Sequence, residues 1–291
     1  SVNWGFVGDL KLHLRTAYWQ DLVSSVTLNI ELPPIGENLT LIDYEVTVEK
    51  GEWSLWKSKV PYLDLEPEKV SDADLIITTV DTLRHQEVLC AWLSEHRPFL
   101  ICGPPGSGKT MTLMSTLKNL PDFEMIFINF SSSTTPALIQ KQFDHYCEYT
   151  KTHQGIILRP KMINKWLVVF CDEINLPDED KYGTQAVITF LRQLTEQQGF
   201  YRSSDKAWVH LERIQFVGAC NPPTDVGRHP LSLRFLRHVP LILVDFPGYE
   251  SLMQIYGTFN RAMLKKAPTV KSHADALTEA MVEYYTRSQK R

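Results

Sequence analysis

The sequence predicts an α/β domain built on a parallel sheet, and three observations carry that expectation. From Pro98 onward, apolar strand-like runs alternate with helical segments, the pattern of parallel strands joined through helices. The runs are 99–102, 125–130, 166–171, 214–220 and 239–245, so five strands are expected. Three of the runs end in a cysteine that is followed at once by a chemically distinctive stretch. Cys102 precedes GPPGSGKT, Cys171 precedes Asp172 and Glu173, and Cys220 precedes Asn221. Ligands of open α/β sheets sit beyond the carboxyl ends of the strands, so the three stretches are expected to converge on one crevice. The cysteines themselves read as small buried residues.

The chain has 291 residues, enough for one large α/β domain and a smaller attachment. A net charge of −4 offers no overall attraction to nucleic acid or to an anionic membrane, and neither is expected as a direct partner. The longest apolar stretches, 166–171 and 239–244, fall far short of the roughly 20 residues a bilayer span needs. Nothing near Ser1 resembles a secretory signal. The five cysteines form no CxxC pair, which argues against a disulfide framework or a zinc knuckle and suits a reducing cytosol. Nine histidines are scattered without metal-ligand spacing, and 144–147 is read as part of a helix after Pro136. No G-x-S-x-G elbow occurs.

The first 60 residues differ in texture from the rest. Leu10, Leu14, Ala17, Trp19 and Leu22 sit at mixed helical spacing over 9–23, and the prolines and glycine of 31–38 then break the pattern into a linker. Alternation over 44–48, followed by Gly51, Trp53 and Trp56, predicts a short strand or hairpin whose tryptophans pack a local core. Farther along, 200–202 and 208–211 flank Ser203, Ser204, Asp205 and Lys206 and read as a second hairpin.

The strongest feature is Gly103, Pro104, Pro105, Gly106, Ser107, Gly108, Lys109 and Thr110, a complete G-x-x-x-x-G-K-T between a strand and a helix over 111–120. Phosphate oxygens need several converging N–H donors. Glycines let the backbone approach them, and the helix that begins near Met111 turns its positive end toward them. Lys109 would reach the β and γ phosphates, and the Thr110 hydroxyl would ligate Mg²⁺. At the next strand end Asp172 would hold the Mg²⁺ shell through water and Glu173 would polarise the attacking water as base. An acidic pair of this kind also caps helices. Asn221 can orient the same water, although it equally suits a turn before Pro222 and Pro223. Arg234 and Arg237 are spaced i,i+3 on an expected short helix. They read either as solvated surface or as charges inserted into a neighbouring site.

The order GPPGSGKT, VVFCDE, GACNPP and RFLR resembles the core of an AAA+ ATPase, with Walker A, Walker B, sensor-1 and arginine-finger elements in sequence. More narrowly, INFSSSTTP, CDEINLPDEDKYGTQ, GFYRSSDKAWVHLERIQFVGACNPPTDVGR and YGTFNRAML resemble the third AAA+ module of cytoplasmic dynein heavy chains. The resemblance implies a five-stranded sheet of order 5-1-4-3-2 flanked by helices, with part of a helical lid. Residues 1–50 would be the end of a preceding module and its linker, 51–247 the large domain, and 248–291 the start of the lid, with a sensor-2 residue beyond Arg291. It implies ATP or ADP with Mg²⁺ as ligands, and it places Lys109 and Thr110 in Walker A, Asp172 and Glu173 in Walker B, and Asn221 at sensor 1. Val80 would contact adenine. Arg234, with Arg237 second, would be the finger for the preceding module. The implied activity is ATP hydrolysis that regulates a microtubule motor ring. The implied partners are adjacent modules of the same chain and, through the parent assembly, accessory chains and microtubules, in the cytoplasm on the cytoskeleton. The alternative is a module that binds nucleotide without hydrolysing it. Retention of both Glu173 and Asn221 favours the enzyme.

Overall fold

The structure, a computed structural model, describes residues 7–25, 33, 39–47, 50–72, 75–153, 155–267 and 269–289. The chain divides into two compact units, Val88–Asp245 on the one hand and Ser1–Glu87 with Phe246–Arg291 on the other.

The second of these units begins with helix α1 (Leu12–Ser25), where the sequence predicts one. The expected linker over 31–38 lies, apart from Pro33, outside the described residues. Strands β1 (Tyr44–Thr47) and β2 (Glu52–Leu55) pair antiparallel, Tyr44 opposite Leu55. Gly51, at φ +67°, supplies the left-handed step on the way into β2. The short helix α2 (Trp56–Lys59) follows and buries Trp56, as the packing reading expects. Helix α3 (Val80–Ser94) then leads from this unit into the next.

The α/β unit contains, in chain order, β3 (Phe99–Cys102), α4 (Lys109–Lys118), β4 (Phe123–Asn129), α5 (Pro136–Tyr146), β5 (Cys147–Thr152), β6 (Gly155–Pro160) and β7 (Trp166–Asp172). It continues with α6 (Ala186–Glu196), β8 (Gly199–Tyr201), β9 (Trp208–Leu211), β10 (Ile214–Cys220), α7 (Leu233–Leu236) and β11 (Leu241–Leu243). The main sheet runs β11-β3-β10-β7-β4 with every pair parallel. Numbered by its own strands in chain order, this is 5-1-4-3-2, the order the resemblance implies. Interior strands of a parallel sheet are covered on both faces and so read as unbroken apolar runs. All four residues of β3 are buried, as are Leu167 to Cys171 of β7 and Gln215 to Cys220 of β10. At the edge, β4 alternates instead: Ile126 and Ile128 are buried, while Phe127 and Asn129 are exposed.

A second sheet, β5-β6-β9-β8, adds to the five strands expected in the main sheet. The hairpin over 200–211 is present as antiparallel β8 and β9, and it is joined through a parallel β6–β9 contact to another hairpin, β5–β6. The helical reading of 144–147 therefore needs correction at its end, because α5 stops at Tyr146 and Cys147 opens β5. The β5 sequence CEYTKT offers one fully buried residue, Cys147, so no apolar alternation announces it. Phe143 of α5, fully buried, packs against Phe200 of β8 and Phe216 of β10, so one aromatic cluster supports both sheets.

After β11 the chain returns to the first unit as α8 (Tyr249–Leu264) and α9 (Ala274–Gln289). These helices pack through Asn260, whose Nδ2 donates to Thr278 Oγ1 at 3.0 Å, and through the Tyr256 and Tyr285 rings. Asp81 fastens α8 to the start of α3. One of its oxygens accepts hydrogen bonds from Gly248 N at 3.0 Å and Ser251 Oγ at 2.7 Å. Buried Arg84 bridges Asp81 to Asp43, at 3.5 and 2.7 Å.

Candidate functional site

The carboxyl ends of β3, β7 and β10 lie side by side in the sheet, with Cys102 opposite Cys220 and Cys171 opposite Gly218. The three sequence-predicted stretches therefore leave the sheet along one edge. The loop after β3 is bound tightly at its root. Gly103 N donates to Cys220 O at 3.1 Å, and Val244 N donates to Cys102 O at 2.8 Å. A Cβ on Gly103 would stand 2.0 Å from Val244 O. Gly106 and Gly108 have φ of +77° and +86°, backbone that L side chains rarely adopt, and Gly108 is the N-cap of α4. The helix begins at Lys109, two residues before its expected start, so the Lys109, Thr110 and Met111 amides form its first turn.

Gly103→Ala is expected to destabilise the α/β unit by about 3 kcal/mol or more, at or above the upper end of overpacking costs, because the obstructing atom is a backbone carbonyl. Denaturant unfolding measures it, and a change within about 0.5 kcal/mol of zero contradicts the packing described.

Lys109 is only 8% exposed, and its ammonium donates to Gly103 O at 2.9 Å, Pro104 O at 3.0 Å and Asn221 Oδ1 at 2.9 Å. All three acceptors are neutral. Burial pulls the Lys109 pKa below the ordinary lysine value, and the nearby charges of Glu173 and Asp172 oppose that pull. Asn221, 5% exposed, is also held from behind, since Asn175 Nδ2 donates to its carbonyl at 2.9 Å. Asp172 ends β7, its Oδ1 accepting from Glu173 N at 3.0 Å, and Phe130 N donates to its carbonyl at 2.9 Å. Glu173 leaves the strand at φ +57°, an uncommon conformation for a residue other than glycine, and its carboxylate faces the Arg228 guanidinium at 2.5 Å.

The structure thus joins Lys109, Asn221, Asp172 and Glu173 in one cluster, with the loop 103–108 and the half-buried Thr110 beside them. Arg234 in α7 and Arg237 at its end are exposed and make no ion pair among the described residues. Val80 opens α3 in the other unit. Asn175 and Arg228 escape sequence reasoning because each acts on another chain segment. Asn175 reaches across to Asn221, and Arg228 lies in the loop after Asn221, where nothing in the sequence names Glu173 as its partner.

An anion suits this arrangement. Among the described residues no carboxylate lies within hydrogen-bond distance of Lys109 and Ser107 Oγ is buried without a hydrogen-bond partner, and the two left-handed glycines shape the loop so that its amides can converge. Thr110 and Asp172 are the oxygen donors that a Mg²⁺ ion accompanying a triphosphate would use, directly or through water. No cluster of three or more His, Cys, Asp or Glu side chains suited to a metal occurs among the described residues. None of the described helices is long and apolar enough to cross a membrane.

A parallel sheet of order 5-1-4-3-2 with this glycine loop after its first strand, an acidic pair after the third and an asparagine after the fourth defines a P-loop domain of the AAA+ ATPase class. Residues 66–247 match the family described as the P-loop containing dynein motor region, and residues 1–58 match the dynein heavy chain AAA lid domain. The chain belongs to the dynein heavy chain family. It is 66% identical over 290 residues to a protein of Paramecium tetraurelia named "Dynein heavy chain, cytoplasmic", covering 99% of this chain and 6% of that protein. Identity is 60% over 291 residues to the protein of that name from Drosophila melanogaster and 57% over 293 residues to the one from Dictyostelium discoideum. Each match covers 100% of this chain and 6% of the relative. The chain therefore spans about 6% of the length of these curated relatives.

Proposed function

We propose that this chain is the third AAA+ module of a cytoplasmic dynein heavy chain, and that it binds and hydrolyses Mg-ATP to regulate a microtubule motor ring. The observation that carries the reading is the buried Lys109 ammonium, held only by neutral acceptors, one of them Asn221, with two carboxylates on the adjoining strand end. The long strings over 128–136, 171–185, 199–228 and 256–264 support the assignment to the third module. The names of the relatives support cytoplasmic dynein. Residues 51–247 are taken as the large domain, 248–291 as the start of its lid, and 1–50 as the end of a preceding module.

In this reading Lys109 and the amides of Gly106, Gly108, Lys109, Thr110 and Met111 would hold the β and γ phosphates, and Thr110 with Asp172, the latter through water, would keep Mg²⁺ in place. The metal, when bound, neutralises charge on the phosphate oxygens. Asn221 and Glu173 orient water for in-line attack, Glu173 accepting its proton. Val80 contacts adenine. The transition state still lacks a cationic finger, which the following module supplies, while Arg234, or Arg237 second, serves the preceding one. Nucleotide state then passes to adjacent modules as rigid-body shifts. Accessory chains and microtubules are reached through the parent assembly in the cytoplasm.

One observation favours the alternative of a nucleotide holder without hydrolysis, namely that Glu173 is engaged by Arg228. A finger in trans is worth on the order of a thousandfold or more in turnover. Single-turnover hydrolysis by the 291-residue chain is accordingly expected to be slower by that factor than hydrolysis at the same site in the ring. Equal rates contradict a finger contributed by a neighbour.

A further inference from the structure

Asn175 stands where the pairing of β7 with β10 would run on past the strand ends. The strands are parallel and in register up to Cys171 opposite Gly218, and Ile174 N carries the ladder further by donating to Ala219 O at 3.0 Å. Along a parallel strand every second residue bonds to the same neighbour, so the donor due at Asn221 O is Leu176 N. That amide is turned away. The chain takes left-handed backbone at Glu173, and Leu176 N donates to Glu173 O at 3.0 Å. The Asn175 side chain fills the place, its Nδ2 donating to Asn221 O at 2.9 Å. Its own carbonyl accepts from His229 N at 3.0 Å, so one residue ties the end of β7 to both ends of the loop 221–229.

Asn221 has little else to fix its backbone. Pro222 and Pro223 have no N–H with which to anchor the chain, and Pro222 disfavours helical backbone at Asn221. No other donor reaches Asn221 O among the described residues. The side chain of the same residue accepts from Lys109 Nζ at 2.9 Å, so a shift of the carbonyl also moves the group that meets the ammonium. Asn175 is 1% exposed, and among the described residues its Oδ1 is buried without a hydrogen-bond partner. Turning the amide over would set two carbonyl oxygens against each other, so the donor is the part of this side chain that the site uses.

We infer that Asn175 is a positioning residue that aims Asn221, its side-chain amide standing in for the ladder donor that the turn at Glu173 removes. This rests on the reading proposed above, in which Asn221 orients the attacking water. In-line attack tolerates little displacement, and a misplacement of about 1 Å can cost on the order of a hundredfold.

The test uses the full-length parent heavy chain, with turnover at this site taken by difference from a Lys109→Ala chain. Asn175→Leu, close in size and without a donor, is expected to lower turnover roughly ten- to a hundredfold while ATP affinity at the site changes by less than about threefold. Asn175→Asp, which keeps the shape and loses the donor, is expected to do the same and guards against a packing fault in the leucine variant. Asn221→Ala removes the Asn221 side chain but keeps the carbonyl that Asn175 holds. In that background Asn175→Leu is expected to cost no further turnover, a result that a merely structural role for Asn175 does not give. A full further loss in the double variant, affinity falling as far as turnover, or normal turnover in both Asn175 variants would each overturn the inference and leave the role of Asn221 standing. No turnover above the Lys109→Ala level, or unchanged turnover in Asn221→Ala, would instead remove the role given to Asn221, and the inference with it.

Discussion

Replacing Lys109 with alanine is expected to lower nucleotide affinity at this site roughly a hundredfold or more. The ammonium is the one cationic group bonded within the loop, and hydrogen bonds to a charged partner contribute about 1.5–3 kcal/mol each. Removing the two hydrogen bonds it would make to phosphate costs about 3 kcal/mol or more, which corresponds to the hundredfold figure. The fold is expected to survive, because water can take the place of the ammonium beside the groups left behind, Gly103 O, Pro104 O and Asn221 Oδ1. Equilibrium binding of ATP and ADP to the parent chain, with thermal unfolding as a control, checks this. Retained affinity at this site sinks the assignment of Lys109.

The second large effect is expected at the chemical step. Glu173→Gln keeps the volume of the side chain and removes its ability to take a proton, and general-base catalysis typically contributes 10²–10⁴-fold. Turnover at this site should fall by a factor in that range while ATP stays bound, so the retained nucleotide shifts from ADP to ATP. A fall in binding together with turnover would assign Glu173 to holding the ligand, not to accepting a proton.

Much of this was legible in the sequence, for a physical reason. Central parallel strands are buried on both faces, so β3, β7 and β10 appear as apolar runs whose ends can be read within a residue, and the glycine loop declares itself through positions that need left-handed backbone. Boundaries blurred where burial was partial. Expected strand 239–245 shrank to Leu241–Leu243, at a sheet edge, and β4 begins at Phe123, two residues before its expected start. The hairpin β5–β6 was missed because β5 is half polar and has no periodicity to betray it.

The site itself divides along the same line. Lys109, Asp172 and Asn221 each follow a strand end directly, so their convergence follows from sheet topology. Asn175 and Arg228 reach the cluster through loops, and their partners are fixed by a left-handed turn at Glu173 that no residue preference announces. Asp81 is a similar case in the other unit, where a residue at the start of α3 proves to hold Gly248 and Ser251 at the start of α8.

Whether hydrolysis at this site regulates a motor, as proposed, is tested by microtubule-stimulated motility of the parent assembly carrying Glu173→Gln. The expected result is ATP retained at this site together with slowed movement of the whole assembly, because the module is then held in one nucleotide state. Nucleotide occupancy and motility indistinguishable from the unmodified assembly would contradict the account and leave the module as a structural holder of nucleotide.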